Sequence, residues 1–323
     1  MDNDKPLMVT IRCITYNQEP YIRDCLEGFV MQQTNFRFEA IVHDDASTDG
    51  TAAIIKEYAE KYPDIIKPIL ETENQYSKHD GSLNRIMNEH THGKYVAYCE
   101  GDDYWTDPQK LQMQVDYMEL HPECGLTYTQ SKIYNQRQDS FIGTWGKDGT
   151  FEQLCKEASF VPTLTTVLRK SLLDMYNRQV ENNPKFLLGD VPLWIFLMIN
   201  SQTYFFAKTT GVYRELNESA SHSMDFDKHT RFVNSAFTCR AFYAKEYGYV
   251  QLAREVIGIN LRNLIDLSFT HNKPLRQIGL FQQMLTNCIF APKLWLYAIL
   301  SQTRIMRMII HKERKARSGN KPK

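Results

Sequence analysis

The chain has 323 residues, 42% of them hydrophobic and 24% charged, enough to bury one large α/β core or two modest ones. That composition excludes disordered, collagen-like and disulfide-stapled proteins, and 38 Lys+Arg balanced by 38 Asp+Glu give no global reason to bind nucleic acid. The balance hides an asymmetry: from Lys293 onward nine Lys/Arg accompany the single Glu313, so this tail is about +8, the remainder about −8, and an anionic surface is the expected partner.

Leu7 to Ile14 is an apolar, β-branched run that predicts a strand, and Pro20 to Gln33 carries Ile22, Leu26, Phe29 and Val30 at helical spacing. Phe38 to Val42 is again strand-like; Thr48 or Asp49 can cap a helix running to about Tyr62, and Ile65 to Leu70 is a third strand. A short helix near Leu83 to Glu89 precedes the strand Lys94 to Cys99, and Asp107-Pro108 opens a helix to about His121. This alternation predicts a doubly covered parallel sheet, whose ligands bind beyond the carboxyl ends of its strands. Further strands are expected near Gly125 to Tyr134, Thr163 to Arg169 and Tyr204 to Arg214, a helix over about Pro192 to Asn200, and helices from Phe226 onward.

Seven widely spaced cysteines form no C-x-x-C pair and read as reduced, mostly buried thiols of a cytosolic protein. Met1 to Pro6 lacks the apolar stretch of a signal peptide. No apolar run approaches the roughly 18 residues that cross a bilayer.

Polar clusters follow three of the predicted strands: Thr15 to Glu19, Asp44 to Ser47 and Glu100 to Asp103. Adjacent carboxylates at Asp102-Asp103, with Glu100 nearby, repel unless a cation compensates, so they predict a divalent metal. Hard oxygen ligands favour Mg²⁺ or Mn²⁺; the plainer alternative is a solvated helix-capping loop. At Asp44-Asp45 a carboxylate can accept from a base imide N–H or from ribose hydroxyls, a means of selecting a pyrimidine nucleotide. No G-x-G-x-x-G follows the first strand and no P-loop motif occurs, which leaves a carboxylate-held metal to grip a diphosphate. Absence of G-x-S-x-G and H-E-x-x-H argues against the commonest hydrolases and zinc proteases.

Val9 to Asn17, Glu19, His43 to Gly50, Gly93 to Tyr98 and Glu100 to Asp107 together resemble the nucleotide-sugar half of family 2 glycosyltransferases, over roughly residues 7 to 215. The resemblance implies a GT-A fold: a Rossmann-like, mostly parallel central sheet flanked by helices, here with a helical C-terminal extension. It implies a catalytic domain over 1–222, with a nucleotide-sugar half to about 125 and an acceptor half from about 126, followed by a helical region over 223–323. Thr15, Tyr16, Asn17 and Glu19 would line the nucleoside pocket, Asp45 with Asp44 behind it would hold the base, and Arg85 could approach the nucleotide. Asp102 and Asp103 would take the metal and diphosphate, Glu100 standing in for the motif's first Asp. Trp105 and Trp194 would border the donor and acceptor sugars. The segment Leu187 to Trp194 resembles the one that carries the base of inverting members, which would be Asp190; a carboxylate there can take the acceptor's hydroxyl proton. Arg214 would neutralise leaving-group charge, and His222, in a loop resembling the family's closing loop, could reach the phosphates or the metal.

In the tail, Arg304, Arg307, His311 and Arg314 are spaced along one helical face beside apolar residues such as Leu296, Ile299, Ile305 and Ile309, as in a helix lying on an anionic bilayer. The resulting expectation is a metal-dependent inverting glycosyltransferase, peripheral on the cytoplasmic side of a membrane, moving one sugar from a UDP-sugar to a glycan or lipid-linked acceptor. A homodimer through the C-terminal helices is a further expectation. The rivals are a sugar-1-phosphate nucleotidyltransferase, which needs a glycine-rich loop that ITYNQEP lacks, and a catalytically silent nucleotide-sugar binding subunit.

Overall fold

A computed structural model of the chain describes residues 5–180, 186–187, 189–216, 225–275, 278–287 and 289–319. In chain order the elements are β1 (Leu7–Thr15), α1 (Ile22–Val30), β2 (Arg37–Asp44), α2 (Thr51–Lys61), β3 (Ile66–Leu70), α3 (Ser82–Glu89), β4 (Tyr95–Tyr98), β5 (Tyr104–Trp105) and α4 (Lys110–Leu120). There follow β6 (Cys124–Asn135), β7 (Ser140–Trp145), α5 (Phe151–Lys156), β8 (Val167–Arg169), α6 (Lys170–Val180), α7 (Val191–Asn200) and β9 (Gln202–Glu215). The chain continues through α8 (Phe226–Glu246), α9 (Val250–His271), α10 (Leu280–Thr286), α11 (Pro292–Gln302) and α12 (Arg304–Gly319).

The strands form one sheet in the order β3-β2-β1-β4-β8-β6-β9-β5, with β7 on β6. The pairs β2–β3, β1–β2 and β1–β4 are parallel, as the alternating periods predict. Beyond β4 the sheet becomes mixed: β8 runs antiparallel to β4 and β6, while β6 and β9 pair parallel. Strand order turns around at β1, which has β2 on one side and β4 on the other, and in such sheets ligands bind beyond the carboxyl ends of the strands at the switch point. Val9, Ile11 and Cys13 of β1 are fully buried with Phe38, Ala40 and Val42 of β2 and the inward faces of α1 and α2. A central strand covered on both faces needs this near-continuous apolar run.

The chain divides into two compact units. The first comprises Met1–Gly149, Ser159–Asn183 and Phe196–Asn217, and holds the sheet. The second comprises Thr150–Ala158, Pro184–Ile195 and Glu218–Lys323. Its larger core gathers Phe226, Leu261, Leu264, Ile265 and Phe269 with Met284, Leu294 and Ala298; a smaller one joins Cys155 to Ala241, Ala244 and Val256.

Several elements depart from expectation. Asp49 receives the Thr51 N–H at 3.0 Å, but the cap position before α2 is taken by Gly50. The short strands β5 and β7 and the helices α5 and α6 were not anticipated. The basic face expected on α12 is also revised: Arg307 is buried and donates to the Ser301 carbonyl at 2.8 Å, while Ile305 and Ile309 are exposed.

Candidate active site

The turn after β4 brings three carboxylates together: ligand oxygens of Glu100, Asp102 and Asp103 lie within 4.8 Å of one another. Backbone geometry holds the turn against the end of β1, since Gly101 donates its N–H to Ile14 at 3.1 Å and Asp103 donates to Glu100 at 3.0 Å. Gly101 is required there, because a Cβ would stand 2.4 Å from Gln18 Oε1 and 2.7 Å from Thr15 Oγ1. Asp103 is buried, and burial together with the Asp102 and Glu100 charges pushes its carboxyl well above the usual carboxylate range. Burial raises Asp102 as well, against the lowering effects of Arg214 and the Gln18 side chain. Three clustered carboxylates, two of them with raised pKa values, fit a hard divalent cation. The buried Thr15 Oγ1 and Gln18 Oε1, with no hydrogen-bond partner among the described residues, add polar atoms at the same place.

Arg214 lies immediately behind the trio, brought there by the pairing of β5 with β9. Its backbone N–H donates to Asp103 Oδ1 at 2.8 Å and its guanidinium to the Asp102 carbonyl at 2.9 Å and to Asp24. The guanidinium also faces the rings of Tyr104 and Tyr21, at 4.5 and 5.3 Å. Arg214, expected to neutralise leaving-group charge, is buried and paired here and shapes the acidic turn. Gln18 belongs to the polar cluster read after β1, but Asp24 was missed, since no local pattern could have revealed a partner 190 positions away.

The two loops beside the turn are latched to each other. Asn17, at a positive φ of 52°, donates its N–H to Ser47 Oγ and accepts from Thr48 N at 2.8 Å. Glu19 accepts the Gly50 N–H at 2.8 Å, and its own N–H reaches Asp49 at 3.1 Å. These side chains, expected to line a pocket, instead tie the β1–α1 loop to the start of α2. Asp44 is likewise turned inward, accepting from the Ser47 hydroxyl at 2.5 Å and from its N–H at 3.2 Å. Asp45 is buried, its two oxygens receiving the N–H groups of Gln75 and Tyr76 at 2.6 and 3.1 Å. It thereby pins the loop that presents Tyr76, an aromatic exposed as Tyr16 is. An ionised carboxylate oxygen accepts more than one donor, so Asp45 retains acceptor capacity.

Both tryptophans are corrected. Trp105 is buried, donates to the Leu164 carbonyl at 2.6 Å and meets Phe29 edge-on; Trp194 is fully buried in the second unit. Neither side chain is open to a sugar. Arg85 lies on the exposed side of α3, bonded to the Asp80 carbonyl at 2.8 Å. Asp190 immediately precedes α7, its Oδ1 accepting the Val191 N–H at 2.8 Å, and belongs to the second unit. His222 lies outside the described residues.

Residues 10–175 match the family model described as Glycosyl transferase family 2. An uncharacterized protein of Mycobacterium tuberculosis is 40% identical over 166 residues, 50% of this chain and 47% of that protein, so the chain spans about half that relative's length. The putative teichuronic acid biosynthesis glycosyltransferase TuaG of Bacillus subtilis is 28% identical over 262 residues, 80% of this chain and 98% of TuaG. Among solved structures, S. aureus TarS 1-349 in complex with UDP-GlcNAc superposes with a TM-score of 0.63 at 15% identity, covering 98% of this chain and 93% of that one. At that identity the likeness establishes the α/β fold with its helical C-terminal region.

Proposed function

Because the chain belongs to glycosyl transferase family 2 and is therefore a glycosyltransferase, we propose that it moves one sugar from a UDP-sugar to a hydroxyl of a glycan or lipid-linked acceptor in surface polysaccharide synthesis, inverting the anomeric centre. The observation that carries this reading is the carboxylate trio Glu100, Asp102 and Asp103 at the C-terminal edge of the parallel strands. Asp102 and Asp103, with Glu100 beside them, would hold Mn²⁺ or Mg²⁺, which when bound supplies positive charge to the diphosphate. Arg214 keeps the turn in shape, Asp45 and the loop it pins offer acceptors and a ring to the nucleoside, and Asp190 takes the proton of the acceptor hydroxyl. The UDP choice draws on the ligand of TarS, and the polysaccharide acceptor on TuaG. The catalytic domain would run over 1–222, on the cytoplasmic side of a membrane that the C-terminal region touches.

A thermal-shift comparison of UDP-, GDP- and dTDP-sugars, each with and without Mn²⁺, tests the reading. A ligand present at 100 times its Kd stabilises by about 2.7 kcal/mol, so selective, metal-dependent stabilisation by a UDP-sugar is the expected result. Equal response to all three nucleotides would overturn the donor assignment. Stabilisation without any UDP release on adding acceptor would favour a silent binding subunit.

A further inference from the structure

In the second unit, α8 and α9 present ordinary solvent faces: Lys228, Arg231, Lys245 and Glu246 on one, Arg254, Glu255, Arg262 and Asp266 on the other. The three helices that follow reverse this pattern. Phe281 and Leu285 are exposed on α10, Leu296, Tyr297 and Ile299 on α11, and Ile305, Met308 and Ile309 on α12. Phe290, between α10 and α11, is 89% exposed, Ile305 72% and Leu285 66%. Nine of the nineteen large hydrophobic residues exposed among the described residues fall between 281 and 309. These positions are not slack in the fold, because the opposite sides of the same helices are filled: Met284, Leu294 and Ala298 join the core built on α9.

Exposed aliphatic side chains on three successive helices are more than a water-facing surface carries by chance. The charges among them are predominantly positive. Lys293, Arg304 and Lys312 are exposed on the same helices, and Glu313 is the only acid from residue 280 to the end. On α12 the exposed positions include Arg304, Ile305, Met308, Ile309 and Lys312, with Glu313 beside Lys312, so two cations to one acid border the aliphatic residues. A bilayer with anionic headgroups satisfies both features at once, taking the apolar side chains at the acyl boundary and the cations at the headgroups. A folded protein partner of ordinary surface would satisfy only the first.

We propose that the outward faces of α10, α11 and α12 form a monotopic docking surface for an anionic lipid bilayer. The proposal rests on the bilayer contact proposed above and places it on exposed apolar side chains rather than on the basic terminus. The test is flotation of the full chain with vesicles of phosphatidylcholine alone or mixed with phosphatidylglycerol. Three proteins are compared: the natural chain, I305S/I309S, and a terminal variant with Lys315, Arg317, Lys321 and Lys323 changed to Gln. The expected result is binding to the anionic vesicles only, at least tenfold weaker in I305S/I309S, with unchanged melting temperature and unchanged hydrolysis of the donor. Undiminished binding by I305S/I309S, with loss in the terminal variant, would overturn this surface and leave the bilayer contact standing. No binding by the natural chain to either vesicle would overturn both. A dimer in solution that I305S/I309S converts to monomer, with vesicle binding unaffected, would assign the surface to a second copy and overturn the proposal.

Discussion

Lys110 opens α4 with its side chain fully enclosed, its ammonium 4.1 Å from the centroid of the Trp105 ring and without a hydrogen-bond partner among the described residues. Burial lowers its pKa from 10.5 to about 7, against the raising influence of Cys99 and Asp107. The folded value lies below the unfolded one, so the unfolded chain binds the extra proton between these limits; stability rises with pH across that window, and the penalty is complete below it. Lys110→Met should therefore raise unfolding free energy by about 1–3 kcal/mol at pH 6 and by less at pH 9, measured by urea denaturation at the two pH values. Asp103→Asn likewise removes a buried charge while keeping shape. The metal-free protein should melt no lower than the natural chain, whereas Mn²⁺-dependent stabilisation by the donor disappears and turnover falls by about 100-fold or more. The acidic pair was legible because two adjacent carboxylates after a buried strand have few stable uses. The inward turns of Trp105, Asn17 and Glu19 were not, since a side chain's direction depends on neighbours distant in sequence, such as Leu164 and Gly50.

Among the elements, the approach of α1 to β5 constrains the site closely. A Cβ on Gly28 would stand 2.8 Å from the Trp105 backbone nitrogen, an atom that cannot step aside because β5 is paired with β9. Gly28→Ala should cost about 1–3 kcal/mol, read as a lower urea midpoint. Donor KM should rise with it, since the acidic turn leads directly into β5. The long elements β1, α1, β2 and α2 declare themselves through period and burial, each spanning enough residues for the pattern to repeat. β5 has two residues and no period to show; it exists because β9 offers it an edge. β7 presents four exposed residues, Phe141 to Thr144, so no apolar alternation marks it, and its pairing with β6 alone defines it.

At the scale of the whole molecule, the carboxylate trio belongs to one unit and Asp190 to the other. Donor binding and proton abstraction should then separate: Asp190→Asn should keep the metal-dependent thermal shift with the donor while transfer falls by about 100-fold or more. Calorimetric binding beside a UDP-release assay distinguishes the two effects, and a variant that loses both would defeat the assignment of Asp190 as base. By itself the sequence determined the alternation of strands and helices, the acidic and amide clusters at strand ends and the sign of the terminal charge, because periodicity and adjacency are local properties of the chain. Only the tertiary structure decided that Arg214 is sequestered by Asp24, that Asp45 supports a loop, and that α10 to α12 turn aliphatic side chains outward. Each of these depends on which distant groups meet and which face of a helix is covered, and both are settled by packing.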